Sequence, residues 1–259
     1  MARIISIANQ KGGVGKTTTA VNMATALAAI KKKVLLIDLD PQGNATTGLG
    51  IYKRGPTSYD ILIRRKYLAE AITRTSIPGL SLVASSIDLV GAEVELINNN
   101  DRSERLKQLI RPYNTMFDYI IIDSPPSMGI LTLNSLSSAN GVLIPLQCEY
   151  YALEGLAYLL HSINRIKETI NRMIQIYGIV LTMYDKRNSL SISVENDVRD
   201  HFGDLVFKTV IPRNIKISEA PSHGKPVILY DVKCLGAKAY MNLVKEFIQK
   251  EISGAWKID

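Results

Sequence analysis

Short, continuous apolar runs alternate along the chain with longer segments in which apolar residues recur at helical spacing. Runs of four to six residues are typical of buried strands that are covered by helices on both faces. We predict such strands over residues 4–8, 34–37, 119–122, 141–145 and 176–181. The alternation of strands and helices predicts an α/β fold with a doubly wound, mostly parallel sheet and helices on both faces.

Two helices and one loop are also predicted from the pattern. Residues 18–30 form an alanine-rich helix, and residues 31–33 are three lysines that suit the solvated negative end of its dipole. Residues 236–252 form the last helix, with its apolar side chains on one face. Residues 98–101 are polar and predict a loop. We find no internal repeat or linker, so residues 1–259 are expected to form a single domain.

Composition narrows the choice of partners and compartment. The 259 residues include 31 Lys and Arg against 24 Asp and Glu, which gives a net charge of +7. A basic surface favours nucleic acid or an anionic membrane as partner. The two cysteines have neither the number nor the spacing of a disulfide framework or a zinc site. With no apolar stretch of membrane-spanning length, we expect a cytoplasmic protein.

A phosphate-binding loop follows the first predicted strand. The usual pattern is Gly, four residues and then Gly-Lys-Ser/Thr, and residues 11–17 are a tightened version of it. Glycines let backbone N–H groups approach phosphate oxygens, and the following helix directs its positive end at the same anion. Lys16 adds a charge for the terminal phosphates, and the Thr17 hydroxyl is placed to ligate Mg²⁺. The predicted ATP-binding residues of the loop are Lys11, Gly12, Gly13, Val14, Gly15, Lys16, Thr17 and Thr18.

Carboxylates stand at the ends of two other predicted strands. Asp123 ends the run over residues 119–122, where a carboxylate can hold Mg²⁺ as a Walker B aspartate does. Asp38 and Asp40 follow the second strand, and the period of two places them on one side of the extended chain, towards the phosphate loop. Their proximity favours a cation nearby, and Asp40 can position or deprotonate an attacking water.

Lys11 has no role in an ordinary phosphate loop, because Lys16 already serves the phosphates. The pattern Lys-Gly-Gly-Val-Gly-Lys-Thr resembles the deviant Walker A ATPases of the ParA/MinD family. The resemblance implies that Lys11 reaches across a dimer interface to the nucleotide of the other subunit. It also implies that Asp40, in the Leu-Ile-Asp-Leu-Asp-Pro-Gln-Gly-Asn stretch, is the hydrolytic carboxylate. The predicted catalytic residues are then Lys11, Lys16 and Asp40, and Asp38 joins Thr17 and Asp123 in the Mg²⁺ shell.

Two later segments narrow the resemblance to the chromosomal ParA/Soj branch. Residues 211–214 and 218–226 carry this likeness, which implies that Met183 and Pro212 sandwich the adenine. From the residues alone, Pro212 is a strand-ending proline. The branch also implies that basic residues in two loops face DNA, and an alternative for any one of them is a solvated surface charge. The candidates are Lys186, Arg187, Arg213 and Lys216.

The combined expectation is a bacterial, nucleoid-associated DNA-partition ATPase. ATP and Mg²⁺ would close a sandwich homodimer that binds double-stranded DNA without sequence preference. Hydrolysis, slow alone and stimulated by a ParB-like partner, would release it. No helix-turn-helix segment precedes Lys11, so site-specific binding is not expected.

Three alternatives stay open at the level of sequence. A MinD-like, membrane-associated positioning ATPase needs a basic amphipathic tail, and residues 253–259 supply only one Trp and one Lys. A redox ATPase like nitrogenase reductase needs cysteines that ligate a cluster, a context that Cys148 and Cys234 lack. A nucleotide-gated scaffold with negligible turnover is the third alternative, and Asp40 argues against it.

Overall fold

A computed structural model describes residues 1–52, 55–63, 66–97 and 99–256 of the chain. The strands of these residues are Arg3–Ile7 (β1), Val34–Asp38 (β2), Ile72–Arg74 (β3), Leu80–Val83 (β4), Tyr119–Asp123 (β5), Gly141–Gln147 (β6) and Gln175–Thr182 (β7). The α-helices are Lys16–Ala29 (α1), Asn44–Gly48 (α2), Ser58–Leu62 (α3), Leu68–Ala71 (α4), Leu89–Glu95 (α5), Arg105–Ile110 (α6), Ile130–Ser138 (α7), Ala152–Thr169 (α8), Ser189–Phe202 (α9), Ile215–Glu219 (α10), Val227–Tyr230 (α11) and Leu235–Ile252 (α12).

The seven strands form one sheet in the order β3-β4-β2-β5-β1-β6-β7. All neighbouring strands run parallel except β3, which pairs antiparallel with β4 at the edge. The predicted doubly wound, mostly parallel sheet is therefore confirmed. The order of the strands places β5 between β1 and β2, which brings three distant parts of the sequence side by side.

The alternation of side chains along each strand divides the core between the two faces of the sheet. In β2, Val34 and Leu36 face a core that includes α1 and α12, whereas Leu35 and Ile37 pack with α3, α4 and α6 on the opposite face. All five residues of β2 and of β5 are buried. Burial on both faces explains why these strands are continuous apolar runs in the sequence.

The structure adds two strands that the apolar pattern did not predict. Strands β3 and β4 are only three and four residues long, and polar residues interrupt both of them. The five predicted strands are present, and β2 and β5 each extend by one residue to an aspartate. Residues 99–101 lie outside helices and strands, as predicted, and Asn98 falls outside the described residues.

None of the helices in the described part of the chain has the length and apolar character that a bilayer crossing requires.

Candidate functional site

Three strand ends meet at one edge of the sheet and bring the predicted loop and carboxylates together. Asp123, the last residue of β5, is in register with Ile7 of β1 on one side and with Asp38 of β2 on the other. The chain that leaves β1 runs directly into the predicted phosphate loop. Neighbouring parallel strands thus place the loop and both carboxylates at the same edge, where ligands bind in doubly wound sheets.

The loop conformation depends on its glycines. Gly13 and Gly15 have φ angles of 75° and 89°, a left-handed region that side chains with a Cβ disfavour. Gly15 caps the N-terminus of α1, and no side chain caps that end. The first N–H groups of a long helix therefore remain available to an anion. Asn9 anchors the loop by donating to the Pro145 carbonyl at 2.7 Å and accepting from the Lys11 N–H at 3.0 Å.

Lys16 holds its ammonium inside the loop. The residue is 6% exposed, and its Nζ donates to the Lys11 carbonyl at 2.9 Å. Burial lowers the pKa of Lys16, while the carboxylates of Asp123 and Asp40 oppose that change. The lysine thus lies within electrostatic reach of two of the predicted carboxylates.

Asp123 carries a buried carboxylate whose two oxygens have no hydrogen-bond partner in the described part of the chain. Burial, and next the charge of Asp38, raise the pKa of Asp123 well above its usual range. The Thr17 hydroxyl lies close enough to lower that pKa in part, without reaching hydrogen-bond geometry. An unpaired carboxylate beside a hydroxyl and a phosphate loop is an oxygen donor set that fits Mg²⁺.

Asp38 uses its carboxylate within the chain. One oxygen accepts from the Thr46 N–H at 2.9 Å and the Thr46 hydroxyl at 2.7 Å, and the other accepts from the Asp40 N–H at 3.1 Å. Burial raises the pKa of Asp38 to about 6, although the hydrogen bonds from Thr46 oppose the rise. Asp38 therefore anchors the start of α2, and its predicted place in the metal shell stays a prediction.

Asp40 stands just beyond the end of β2. It is 7% exposed, and its Oδ1 accepts from the Gln42 N–H at 3.0 Å. Its charge reaches Lys16, which agrees with the expectation that Asp40 projects towards the phosphate loop.

Lys11 lies exposed at the rim of the loop and forms an ion pair with Glu149 of the same chain. Glu149 follows the end of β6, so this carboxylate belongs to the same edge of the sheet as Asp38 and Asp123. We did not predict a role for Glu149 from the sequence. Its position just beyond a predicted strand was the signal that could have indicated one.

Met183 and Pro212 line one cavity of about 230 Å³ beside the loop, together with Gly15 and Thr18. The Tyr184 N–H donates to the Ile211 carbonyl at 3.0 Å, which holds the two segments together. Met183 has a φ of 49°, an uncommon conformation for a residue with a side chain. The cavity connects with the loop that precedes α1, so a base could lie there while its phosphates contact the loop.

The four predicted basic residues differ in how they are paired. Arg187 makes a two-pronged contact with Asp185 at 3.0 and 2.9 Å, and this contact lowers the pKa of Asp185 to about 2. Lys216 pairs with Glu219 at 2.9 Å. Lys186 and Arg213 are exposed, and neither makes an ion pair with another residue that the structure describes.

The two cysteines are free thiols with roles in packing. Cys148 is buried beside β6, and burial raises the pKa of its thiol to about 11. The Cys234 sulfur accepts from the Ala237 N–H at 3.3 Å and caps α12. Among the described residues, neither cysteine belongs to a group of side chains that could hold a metal ion.

Comparisons with known sequences agree on one family. A family model described as an AAA domain matches residues 2–176. The chain is 51% identical to the chromosome partitioning protein ParA of Caulobacter vibrioides over 253 residues, covering 96% of this chain and 95% of that protein. It is 50% identical to the sporulation initiation inhibitor protein Soj of Bacillus subtilis, covering 95% and 98% of the two chains. The chromosome-partitioning ATPase Soj of Treponema pallidum is 48% identical, with 97% and 99% covered.

Solved structures share the fold over nearly the whole chain. Cobyrinic acid a,c-diamide synthase from Mycobacterium smegmatis, with bound ADP and magnesium, is 36% identical with a TM-score of 0.86, covering 98% of this chain and 97% of that one. The cell division ATPase MinD of Pyrococcus furiosus is 26% identical with a TM-score of 0.81, covering 96% and 99%.

Proposed function

The chain belongs to the ParA/Soj family of chromosome-partitioning ATPases, and from this premise we propose that it is a nucleotide-driven DNA-binding switch. Its ATP-bound form is a sandwich homodimer that binds double-stranded DNA without sequence preference. Hydrolysis, stimulated by a ParB-like partner, releases the DNA. One observation carries this proposal. Lys16 and Asp123 are buried at the phosphate site, and a second lysine, Lys11, lies exposed at the rim of the same site.

ATP and Mg²⁺ are the proposed cofactors of the site. The loop residues 11–18 bind the phosphates, and the cavity between Met183 and Pro212 accepts the adenine. Thr17 and Asp123 would hold the metal ion, and Asp38, which is in register with Asp123, would complete its shell. When bound, Mg²⁺ neutralises charge on the phosphate oxygens. Lys16 orients the terminal phosphates and adds a fixed positive charge.

Asp40 is the proposed hydrolytic residue, because its carboxylate lies within electrostatic reach of Lys16 and can orient an attacking water or accept its proton. We expect Asp40→Ala to bind ATP and to hydrolyse it at least about 100-fold more slowly, which is the lower range for loss of a general base. Lys16→Ala should instead lose ATP binding itself. Single-turnover hydrolysis and calorimetric binding separate the two outcomes. Wild-type turnover by Asp40→Ala would contradict the assignment.

Dimer formation gives Lys11 its role. In the single chain its ammonium pairs with Glu149, at the exposed edge of the sheet. Exposed ion pairs contribute little stability, so this pair opposes release of Lys11 only weakly. On closure of the dimer, Lys11 contacts the phosphates in the partner subunit, a position that a buried lysine could not reach.

The continuous sheet from β1 to β7 supports one ATPase domain over residues 1–259.

DNA binding is assigned to the two basic loops, and the pairing of their residues ranks them. The carboxylates of Asp185 and Glu219 offset the charges of Arg187 and Lys216 towards phosphates, whereas Lys186 and Arg213 form no ion pair among the described residues. We therefore expect Lys186→Ala and Arg213→Ala to weaken DNA binding more than Arg187→Ala or Lys216→Ala. Through these DNA contacts the loops would keep the cytoplasmic protein associated with the nucleoid.

The deciding experiment measures binding to an arbitrary duplex with ATP, with ADP and without nucleotide, across a salt series. We expect binding only with ATP, and a steep loss of affinity as salt rises. Lys186→Ala should reduce the salt slope by about one for each lost phosphate contact. Lys245→Ala is the matched control, since it removes an exposed charge from α12. Absence of binding in all three states would contradict the proposal.

The likeness to MinD structures keeps a membrane-associated positioning ATPase as the second candidate. Such a protein would insert apolar residues of an amphipathic segment into lipid. Here the aromatic ring near the C-terminus faces the protein: Trp256 packs on Tyr177 and Phe247, with ring centroids 4.5 and 4.7 Å apart. This packing favours the DNA-binding proposal over the membrane alternative.

A further inference from the structure

The backbone of Asp40 is held from both sides by residues outside its own loop. Its N–H donates to the Asp38 carboxylate at 3.1 Å, and its carbonyl accepts from the Ser85 hydroxyl at 2.5 Å. The Gly43 N–H also donates to that carbonyl, at 2.9 Å. Because Asp40 lies beyond the end of β2, no ladder of strand hydrogen bonds fixes its direction. These contacts therefore fix the Asp40 peptide, from which the carboxylate projects to accept from the Gln42 N–H at 3.0 Å.

Ser85 is joined to Asp38 by a second route. The Ser85 N–H donates to the Thr46 hydroxyl at 2.9 Å, and that hydroxyl gives its single proton to Asp38 at 2.7 Å. A hydroxyl can donate one hydrogen bond and accept others, so both contacts coexist. Asp38, Thr46 and Ser85 thus form a closed ring of hydrogen bonds with the Asp40 backbone. We call these three residues the acidic-loop clamp.

Ser85 also borders the turn that follows Asp40. Gly43 has a φ of 63°, and a Cβ placed there would lie 4.0 Å from the Ser85 Cβ. The serine follows the end of β4, so it extends the row of polar strand ends at the site by one more strand. The segment from Asp40 to Gly43 therefore lies between β2 and the chain that leaves β4.

We propose that Ser85 is a positioning residue for ATP hydrolysis, which acts by fixing the Asp40 peptide so that its carboxylate meets the attacking water. The inference rests on the proposed function of Asp40 as the hydrolytic residue. General-base catalysis depends on hydrogen-bond geometry, and a displacement of about 1 Å can cost about 100-fold in rate. Ser85 contacts neither the phosphate loop nor the adenine cavity among the residues described, so ATP affinity does not depend on it.

The test compares Ser85→Ala, Ser85→Thr and Ser86→Ala. Ser86 is the matched control, because it is the next residue, is equally half-buried and donates to Asp88 instead of Asp40. We expect Ser85→Ala to lower the single-turnover rate about 10-fold, with the ATP dissociation constant within twofold of wild type. Ser85→Thr keeps a hydroxyl and should recover most of the rate. Ser86→Ala should match wild type, and all three variants should unfold at similar temperatures.

Two results would overturn the inference. One is a wild-type rate for Ser85→Ala, and the other is a parallel loss of rate, ATP affinity and thermal stability, which indicates a general structural role. Asp40→Ala in the same assay separates this inference from the proposed function. If Asp40→Ala is inactive and Ser85→Ala has the wild-type rate, only the inference about Ser85 is refuted. If Asp40→Ala is active, the hydrolytic assignment fails. Adding Ser85→Ala to Asp40→Ala should give no further loss, since both act through one group.

Discussion

Asp123 shows how a single residue of the site destabilises the chain that carries it. Its carboxylate is fully buried, and neither oxygen has a partner among the described residues. Burying a charged group without a partner is costly, and the raised pKa of Asp123 expresses that cost. A metal ion would supply the missing partner. The buried Asp123 carboxylate therefore destabilises the folded chain without metal, and binding of the proposed metal ion would restore that stability.

We expect Asp123→Asn to raise the thermal midpoint of the nucleotide-free protein by about 2–4 °C, the shift for about 1 kcal/mol in a chain of this size. The amide keeps the shape of the side chain and has no charge to desolvate. Scanning calorimetry in EDTA measures the effect. Asp118→Asn is the control next to the same strand, because Asp118 already accepts from the Lys33 N–H at 2.7 Å. It should leave the midpoint unchanged or lower it.

Mg²⁺ and ATP should raise the thermal midpoint of the wild type, because ligands stabilise only the state that binds them. Asp123→Asn should lose this increase. A lower midpoint for Asp123→Asn in EDTA would contradict the account of an unpaired carboxylate.

At the scale of elements, two glycines differ in the space that surrounds them. A Cβ at Gly141, the first residue of β6, would lie 2.5 Å from the ring of Tyr177 in β7. Tyr177 cannot move aside easily, because it is fully buried and packs on Phe247 at 5.9 Å. In α8, by contrast, a Cβ at Gly155 would meet no atom within 4 Å. The two glycines therefore respond to the same substitution in opposite ways.

Gly141→Ala should lower the free energy of unfolding by about 1–3 kcal/mol, the usual cost of overpacking a core. Gly155→Ala should raise it by up to about 1 kcal/mol, because alanine favours a helix interior more than glycine. Urea denaturation of both variants and the wild type measures the two changes. Equal effects at the two positions would contradict the role of the Tyr177 contact.

The sequence predicted the central strands and the phosphate loop because their physical signals are local. Strands β2 and β5 are buried on both faces, and burial produces the apolar runs that were recognised. Strand β4 has only four residues, one of them a serine, so it was not predicted, and the proposed role of Ser85 beyond its end was not predicted either. The Lys11–Glu149 pair and the unpaired carboxylate of Asp123 depend on which strands are neighbours in the sheet. A local sequence pattern does not predict strand neighbours.

At the scale of the whole molecule, the last helix closes the end of the sheet opposite the site. Glu251 of α12 accepts from Arg3 of β1 at 2.8 Å and from the Tyr119 hydroxyl of β5 at 2.6 Å. Trp256 lies over Tyr177 of β7 just beyond that helix. The C-terminal segment thus contacts residues near the beginning of three strands, and the ring of Trp256 packs within the molecule, whereas Ile252 of α12 is exposed.

Trp256 is the only tryptophan of the chain, so its fluorescence reports on this segment alone. We expect its emission to stay constant when anionic lipid vesicles are added with ATP, because the ring remains packed on Tyr177 and Phe247. Unfolding in urea, which should shift the emission to longer wavelength, provides the control for sensitivity. A shift on addition of vesicles, with co-sedimentation, would support the membrane alternative instead.

The strand order also has a consequence for how the protein is made. Strand β1, which a ribosome completes among the first residues, pairs with β5 and β6 in the described part of the chain, and the cavity beside the loop needs Met183 and Pro212. Pairing between segments so distant along the chain forms late. A nascent chain therefore carries its phosphate loop unsupported through most of translation. Nucleotide can therefore stabilise the protein only after about four-fifths of it has emerged, and the earlier stages expose apolar strands that nucleotide does not protect.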